Sequence, residues 1–325
     1  IEGTYGIAAL CQKEKKLVVA RKGSPLIIGI IRKGEYVVAS DTTAISEPTQ
    51  KIVCLKDYDV AVLTEKGYRI FNLKQKGESR KVERISWSIK SIEKKHYEHF
   101  MLKGIHEQPE TLRNSLRGKY DAKNKIPKFG GLNIPEFDLK NIDRIIILAC
   151  GTSWHAGLVG QYWIEDLSRL TVTVDIASEF RYREPPMPEG TLLIVISQSG
   201  ETADTLAAMK FVKETGCKIL GIVNVPESSI ARGSDAVLYT EAGPEIGVAS
   251  TKAFTTQLAV LACLAIAFGK AHGRVDAARE AALVSELVHL PAKIEQMLTH
   301  DEKILELSQH VIDRKSTRLN SSHTV

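Results

Sequence analysis

The stretch "TLLIVISQSGETADT" (Thr191–Thr205) joins an uninterrupted apolar run to a polar turn and then to the start of a helical pattern. A short, fully apolar run of this kind is typical of a strand buried on both faces of a parallel sheet. The turn that follows, Ser197–Thr202, is rich in hydroxyl groups. It could hold a nucleophilic serine, or it could bind a negatively charged group at the start of the helix.

Strands and helices alternate from Ile142 onward. The runs "DRIIILAC", "TVTVDI", "KILGIVN" and "AVLYT" are further strand candidates, and helical patterns lie between them. A long helix is expected from about Ser250 to Gly269. This alternation predicts an α/β fold with a doubly wound parallel sheet that is covered by helices on both faces.

The first part of the chain has a different pattern. Residues 1–73 contain short β-branched runs broken by Gly, Pro and pairs of Lys, which indicates an antiparallel, β-rich region. Residues 74–138 are more charged and carry helical spacing, with a break expected at Pro109, before a loop rich in Pro, Gly and Asn. We interpret this second segment as a helical linker.

Composition excludes several classes of function. The 325 residues are enough for two domains, and the formal charge of +5 is spread along the chain, which does not favour nucleic-acid binding. The longest apolar run, Leu258–Phe268, is too short to span a bilayer. The five cysteines are widely separated and show no metal-ligand spacing. With no secretory leader recognised, a cytoplasmic protein without a bound metal is expected.

Hydroxyl groups cluster at three predicted junctions between a strand end and a helix: Cys150–Ser153, Ser197–Thr202 and Ser250–Lys252. The carboxyl ends of parallel strands meet at one edge of the sheet, where ligands bind. Helix N-termini there offer unpaired N–H groups and a partial positive charge, and Gly200 allows a close backbone approach. The three clusters together predict a site for a phosphate monoester.

These residues also allow other interpretations. Any one Ser or Thr before a helix is an ordinary N-cap, but capping three helices needs fewer hydroxyls than are present. The nucleophile elbow Gly-x-Ser-x-Gly, the P-loop and Gly-x-Gly-x-x-Gly are all missing. Glu201 would disturb a neighbouring phosphate unless its side chain turned away. For Lys252, pairing with the phosphate and simple solvation remain equally open.

Four motifs carry a resemblance to a known family. "ILACGTSWHAG", "SEFRYR", "ISQSGETADT" and "EIGVASTKAFTTQ" together resemble the first sugar-isomerase (SIS) domain of the glutamine–fructose-6-phosphate aminotransferases. "GTYGIAAL", "ARKGSPLIIGI", "VASD" and "HYEHFMLKGIHEQPE" look like the end of that family's glutaminase domain and its interdomain linker. Gly104 departs from the pattern, because the family usually has an acidic residue there.

The resemblance implies a reaction and a set of contacts. The family transfers the amide nitrogen of glutamine to fructose 6-phosphate, giving glucosamine 6-phosphate and glutamate, without a cofactor and as a homodimer. It implies no nucleic-acid or membrane partner. The positions that match its phosphosugar contacts are Thr152, Ser153, Ser197, Gln198, Ser199, Thr202, Val248 and Ser250.

The resemblance also implies what lies outside this chain. The family's nucleophilic cysteine and its isomerase acid and base residues match no position here, so no catalytic residue is assigned and the chain alone is expected to be inactive. The alternative is a non-catalytic SIS sensor of sugar phosphates. The expected divisions are the end of an N-terminal-nucleophile glutaminase domain (1–73), a linker (74–138), a first SIS domain (139–276), helices leading toward a second SIS domain (277–312), and residues 313–325. In the last segment, "DRKSTRLNSSH" matches an in-frame translation of a sequencing-library adapter, so we expect it to be foreign to the fold.

Overall fold

The computed structural model describes residues 2–40, 44–45, 48–72, 77–84, 94, 96–121, 126–127, 139–226, 228–247 and 249–309. Val248 and residues 313–325 of the sequence predictions therefore lie outside the described residues. The described chain forms an antiparallel β region, a helical segment and an α/β unit.

The N-terminal region consists of short antiparallel strands in two sheets. The strands are β1 (Tyr5–Cys11), β2 (Lys16–Lys22), β3 (Ile27–Arg32), β4 (Glu35–Ala39), β5 (Lys51–Cys54), β6 (Val60–Thr64), β7 (Gly67–Phe71), β8 (Gly77–Glu78) and β9 (Glu83–Arg84). They are arranged in the orders β1-β2-β6-β7-β8 and β4-β3-β5-β9. Apolar side chains of both sheets, among them Val19, Ile28 and Val53, share one core. The antiparallel, β-rich prediction is confirmed.

The helical segment contains α1 (Phe100–Leu116) and a small hairpin of β10 (Tyr120–Asp121) and β11 (Ile126–Pro127). The break expected at Pro109 was wrong, because α1 continues through this residue. Proline lacks the N–H that would bind the carbonyl of Ile105. The side-chain amide of Gln108 donates to that carbonyl instead, at 3.0 Å.

The α/β unit alternates parallel strands with helices, as predicted. Its elements are a 3₁₀ turn (Leu139–Asn141), β12 (Arg144–Ala149), α2 (Gly151–Ser168), β13 (Thr171–Ile176), α3 (Ala177–Arg183), β14 (Thr191–Ser197), α4 (Ala203–Glu214), β15 (Lys218–Val223), α5 (Ser229–Gly233), β16 (Ala236–Tyr239), α6 (Lys252–Ala271), α7 (Ala277–Leu298) and α8 (Asp301–Gln309). The strand order is β13-β12-β14-β15-β16, and every pairing is parallel. Every residue of β14 is buried, as its continuous apolar sequence predicted.

The sheet carries a separate hydrophobic core on each face. Side chains of α2, α6 and α7 pack on one face, and those of α3, α4 and α5 pack on the other. This two-sided cover confirms the doubly wound α/β class. The strand order reverses between β12 and β14, and ligands of such sheets bind at the carboxyl ends of the strands at this point.

Helix α6 is buried along most of its length. In the described part of the chain it alone is long and apolar enough to cross a membrane, by length and composition. However, 72% of its apolar window is buried inside the protein. Its hydrophobicity is therefore accounted for by packing against the sheet and against α2, where Gly160 lets Leu261 approach closely.

Candidate functional site

A cavity of about 410 Å³ opens where the sheet order reverses. This volume lies within the range of small-molecule sites, about 300–1,000 Å³. The cavity is formed by the ends of β12 and β14 and by the segment that precedes α6. Its lining residues are Cys150, Gly151, Thr152, Ser153, Ile196, Ser197, Gln198, Ser199, Thr202, Ala249 and Ser250.

The structure brings together seven of the eight residues predicted to contact a ligand. Thr152, Ser153, Ser197, Gln198, Ser199, Thr202 and Ser250 all line this one cavity. Val248, the eighth, lies outside the described residues. The placement agrees with the prediction from the strand ends, while the role of each side chain in binding stays a prediction.

Hydrogen bonds within the loop after β14 hold its shape. The backbone N–H of Gly200 donates to Ser197 Oγ at 3.0 Å, and the N–H of Glu201 donates to Ser199 Oγ at 3.2 Å. Ser197 Oγ also lies 3.0 Å from Thr202 Oγ1. Because the oxygen of Ser199 accepts from the backbone, its own proton can point into the cavity.

Gly200 is required by the geometry of this loop. Its φ is +66°, in the left-handed region that favours glycine. A Cβ at this position would overlap Ser228 Oγ, the N-cap of α5. Packing of the loop against α5 therefore requires a glycine at this position. The sequence had suggested a different reason, which is a close approach of the backbone to a ligand.

The helices that begin at the cavity are not capped by the hydroxyls beside them. Thr202 is the N-cap of α4 and makes no side-chain hydrogen bond to the helix. Cys150, the N-cap of α2, makes none either. The capping interpretation therefore does not explain the hydroxyl groups at these two junctions. The first N–H groups of both helices remain able to bind an anion together with the helix dipoles.

The third junction differs from the sequence prediction. Helix α6 begins at Lys252, and the carboxylate of Glu245 accepts from the N–H groups of Thr251 (2.8 Å) and Ala253 (3.4 Å). Ser250 Oγ donates to the same carboxylate at 2.9 Å. The N-terminus of α6 is thus occupied by an acidic side chain, and Ser250 presents an acceptor to the cavity.

The two charged residues that the sequence analysis considered for the site, Glu201 and Lys252, point away from the cavity. Glu201 Oε1 accepts from the N–H of Ser229 at 2.8 Å, so its carboxylate is turned toward α5, as a phosphate site requires. Lys252 is buried, and its Nζ lies 2.7 Å from Glu107 Oε2 on α1. Neither of the two expected roles of Lys252 is observed: the side chain is buried rather than solvated, and it pairs with Glu107 instead of lining the cavity.

No charged side chain is found among the described residues that line the cavity. Hydroxyl groups, one amide and backbone N–H groups provide its polar surface. Such a site can hold an anion by directed hydrogen bonds and helix dipoles. It offers no general base or acid of the kind that a proton transfer between carbon atoms needs.

Sequence reasoning missed three residues that support the site from behind. Glu245 caps α6, Glu107 holds Lys252, and Gln257 donates to Ser153 Oγ at 3.0 Å. The sequence could have drawn attention to Gln257, because it is an amide within the apolar sequence of α6 and a buried polar group needs a hydrogen-bond partner.

Comparisons with known proteins agree with the fold. Residues 138–267 match the family model described as SIS domain. The chain is 45% identical over 317 residues to a glutamine–fructose-6-phosphate aminotransferase (isomerizing) of Methanosarcina mazei, and these residues cover 97% of this chain and 51% of that protein. A relative with the same name from Chlorobaculum tepidum is 46% identical over 318 residues, with 97% and 51% covered. The chain thus spans about half the length of the curated relatives it matches.

Solved structures show the same similarity. The C-terminal domain of glucosamine-fructose-6-phosphate aminotransferase from Francisella tularensis superposes with a TM-score of 0.65 at 37% identity, covering 69% of this chain and 62% of that one. A putative phosphosugar isomerase from Clostridium difficile superposes with a TM-score of 0.55 at 21% identity, covering 65% and 57%, and shows the fold alone.

Proposed function

Because this chain contains a SIS domain and is homologous along nearly its whole length to glutamine–fructose-6-phosphate aminotransferases, we propose that it is the phosphosugar-binding part of such an enzyme. The whole protein would transfer the amide nitrogen of glutamine to fructose 6-phosphate. The products would be glucosamine 6-phosphate and glutamate. The observation that carries the proposal is the cavity at the sheet reversal, lined by hydroxyls and by two helix N-termini without side-chain caps.

The loop after β14 is the proposed phosphate site. Ser199 has its proton available, and Thr202 lies at the start of α4, whose dipole favours a negative charge. Gln198 and Ser197 complete the loop, and Thr152 and Ser153 face it from α2. The dianionic phosphate would thus be bound by neutral donors.

The remaining side of the cavity is the proposed sugar site. Ser250 donates its proton to Glu245 and so can accept a hydrogen bond, which a sugar hydroxyl can supply but a phosphate oxygen cannot. Val248, two positions before Ser250 in sequence, stays a proposed contact of the phosphosugar on the basis of the family resemblance alone. The phosphate is therefore oriented toward β14 and the sugar toward the segment before α6.

The chain alone is proposed to bind without turnover, since the described lining residues provide no acid or base. We keep the division into a glutaminase end (1–73), a linker (74–138), a first SIS domain (139–276) and following helices (277–312) as part of the proposal. Cytoplasmic location, a homodimeric whole protein, and the lack of nucleic-acid or membrane partners belong to it as well. A non-catalytic sensor is not favoured, because the matched relatives are named as aminotransferases.

Calorimetric titration of the chain with fructose 6-phosphate tests the proposal. We expect saturable binding, weaker binding of inorganic phosphate, and no binding of fructose. Ser199→Ala combined with Thr202→Ala removes two donors to a charged group and should weaken binding about 100-fold or more. Thr215→Ala is the matched control, because its hydroxyl bonds Val212 at the other end of α4. A well-folded chain that does not bind fructose 6-phosphate would overturn the proposal.

A further inference from the structure

Gln257 lies behind the cavity, in the second turn of α6. It is 2% exposed, and its Nε2 donates to Ser153 Oγ at 3.0 Å. Ser153 stands in the first turn of α2 and lines the cavity. The amide therefore contacts the site through one side chain and has no surface on the cavity itself.

The direction of this hydrogen bond determines what Ser153 can do. A serine hydroxyl has one proton to donate and lone pairs that accept. Because Gln257 Nε2 can only donate, it occupies a lone pair of Ser153 Oγ. The hydroxyl proton of Ser153 then remains available to a group in the cavity.

Packing does not explain an amide at this position. The other polar atom of the side chain, Gln257 Oε1, is buried and has no hydrogen-bond partner among the described residues. A buried acceptor left unpaired destabilises the folded state. An apolar side chain of similar length would fill the same space without that cost, so the amide is better explained by its bond to Ser153.

We propose that Gln257 is a positioning residue that orients the Ser153 hydroxyl so that it donates its proton to an oxygen of the bound phosphosugar. This inference rests on the proposed function of the cavity. It adds a residue that touches no ligand and acts only through Ser153.

A double-mutant cycle tests whether Gln257 acts through Ser153. Fructose 6-phosphate is titrated into the wild-type chain, Gln257→Met, Ser153→Ala and the double variant. Each single variant should bind about tenfold more weakly, the loss of roughly one hydrogen bond to the ligand. The double variant should bind no more weakly than Ser153→Ala. Thr256→Val is the control, because it removes a fully buried hydroxyl that bonds only within α6, one residue away.

The carboxylate variant Gln257→Glu provides a second readout if Gln257→Met does not fold. The introduced carboxylate, when ionised, would accept the Ser153 proton, so binding should be weaker than in the wild type. Binding should recover as the pH falls and the carboxyl gains a proton. The same substitution on a Ser153→Ala background should show no such recovery.

Two results would overturn this inference and leave the proposed function standing. One is a loss of affinity in the double variant that equals the product of the two single losses. The other is the same pH dependence of binding for Gln257→Glu with and without Ser153→Ala. Failure of the wild-type chain to bind fructose 6-phosphate would overturn both this inference and the proposed function. The wild-type titration therefore distinguishes the two.

Discussion

Lys252 Nζ lies 2.7 Å from Glu107 Oε2, so the first residue of α6 is bound to a helix that precedes it by more than 100 positions in sequence. Lys103 Nζ is 3.3 Å from the other oxygen of the same carboxylate. Both lysines are buried. This cluster joins α1 to the edge of the cavity.

We predict that Glu107→Ala destabilises the chain by about 2–4 kcal/mol, because the buried ammonium group of Lys252 loses the carboxylate that pairs with it. Urea unfolding measures this loss. Replacing the pair together, Glu107→Leu with Lys252→Met, should recover part of the stability. As a control, Lys293→Met breaks an exposed ion pair with Glu286 and should cause no measurable change. Equal effects of Glu107→Ala and Lys293→Met would contradict the prediction.

Gly200→Ala should lower both stability and phosphosugar affinity. The substitution adds left-handed strain and an overlap with Ser228 Oγ. Gly216→Ala separates the two causes, since Gly216 also has a positive φ, +80°, but a Cβ there meets nothing within 4 Å. We expect Gly200→Ala to cost about 1–3 kcal/mol more than Gly216→Ala in thermal or urea unfolding. Ser228→Gly in the Gly200→Ala chain should restore part of the difference.

Glu245→Ala should destabilise α6 by about 1–2 kcal/mol, the usual cost of losing an N-cap acceptor. It should also weaken binding of fructose 6-phosphate, because Ser250 loses the group that takes its proton. Asp276→Ala is the matched control: Asp276 caps α7 through the N–H of Arg279 at 2.8 Å and lies outside the cavity lining. An unchanged affinity in Glu245→Ala would show that the orientation of Ser250 does not matter.

The free energy of unfolding should fall between about pH 9 and pH 12, because Cys263 ionises at a lower pH in the unfolded chain than in the folded one. Burial raises the pKa of this thiol from 9.0 to about 12, since the thiolate would lose its solvation. In the unfolded chain the thiol ionises near pH 9, and this ionisation favours unfolding. The contribution of Cys263 to stability is therefore fully present below pH 9 and is lost as the pH rises toward 12. Burial also lowers the pKa of Lys119. This shift makes the free energy of unfolding rise with pH, which opposes the effect of Cys263.

Cys263→Ala isolates the contribution of the thiol. Urea unfolding at about pH 8, 9.5 and 10.5 should show a smaller loss of stability with pH in Cys263→Ala than in the wild type. The cavity left by the missing sulfur shifts all three values together and does not change the slope. Parallel pH profiles of the two chains would contradict the assignment.

The sequence predicted the fold class well because the strands of the α/β unit are continuous apolar runs. β14 is the clearest case, with every residue buried on a sheet covered from both sides. Strand order could not be deduced in the same way, since it depends on contacts between distant segments. The helix break expected at Pro109 was wrong, because the side chain of Gln108 donates to the Ile105 carbonyl that proline leaves without a partner.

The hydroxyl groups of the cavity could be found from sequence, but their supports could not. Ser153, Ser199 and Thr202 follow strand ends, so topology alone brings them together. The partner of Lys252 comes from α1, and Gln257 reaches Ser153 from a different helix. Such long-range contacts leave no local pattern in sequence.

The lack of charged side chains among the described residues of the cavity lining has a consequence for how the site responds to its surroundings. Mobile ions screen the long-range attraction between exposed charges over roughly 8–10 Å at physiological ionic strength. Neutral donors in direct contact with a phosphate group depend little on that attraction. The occupancy of this site should therefore follow the concentration of its ligand closely and the salt content of the medium only weakly.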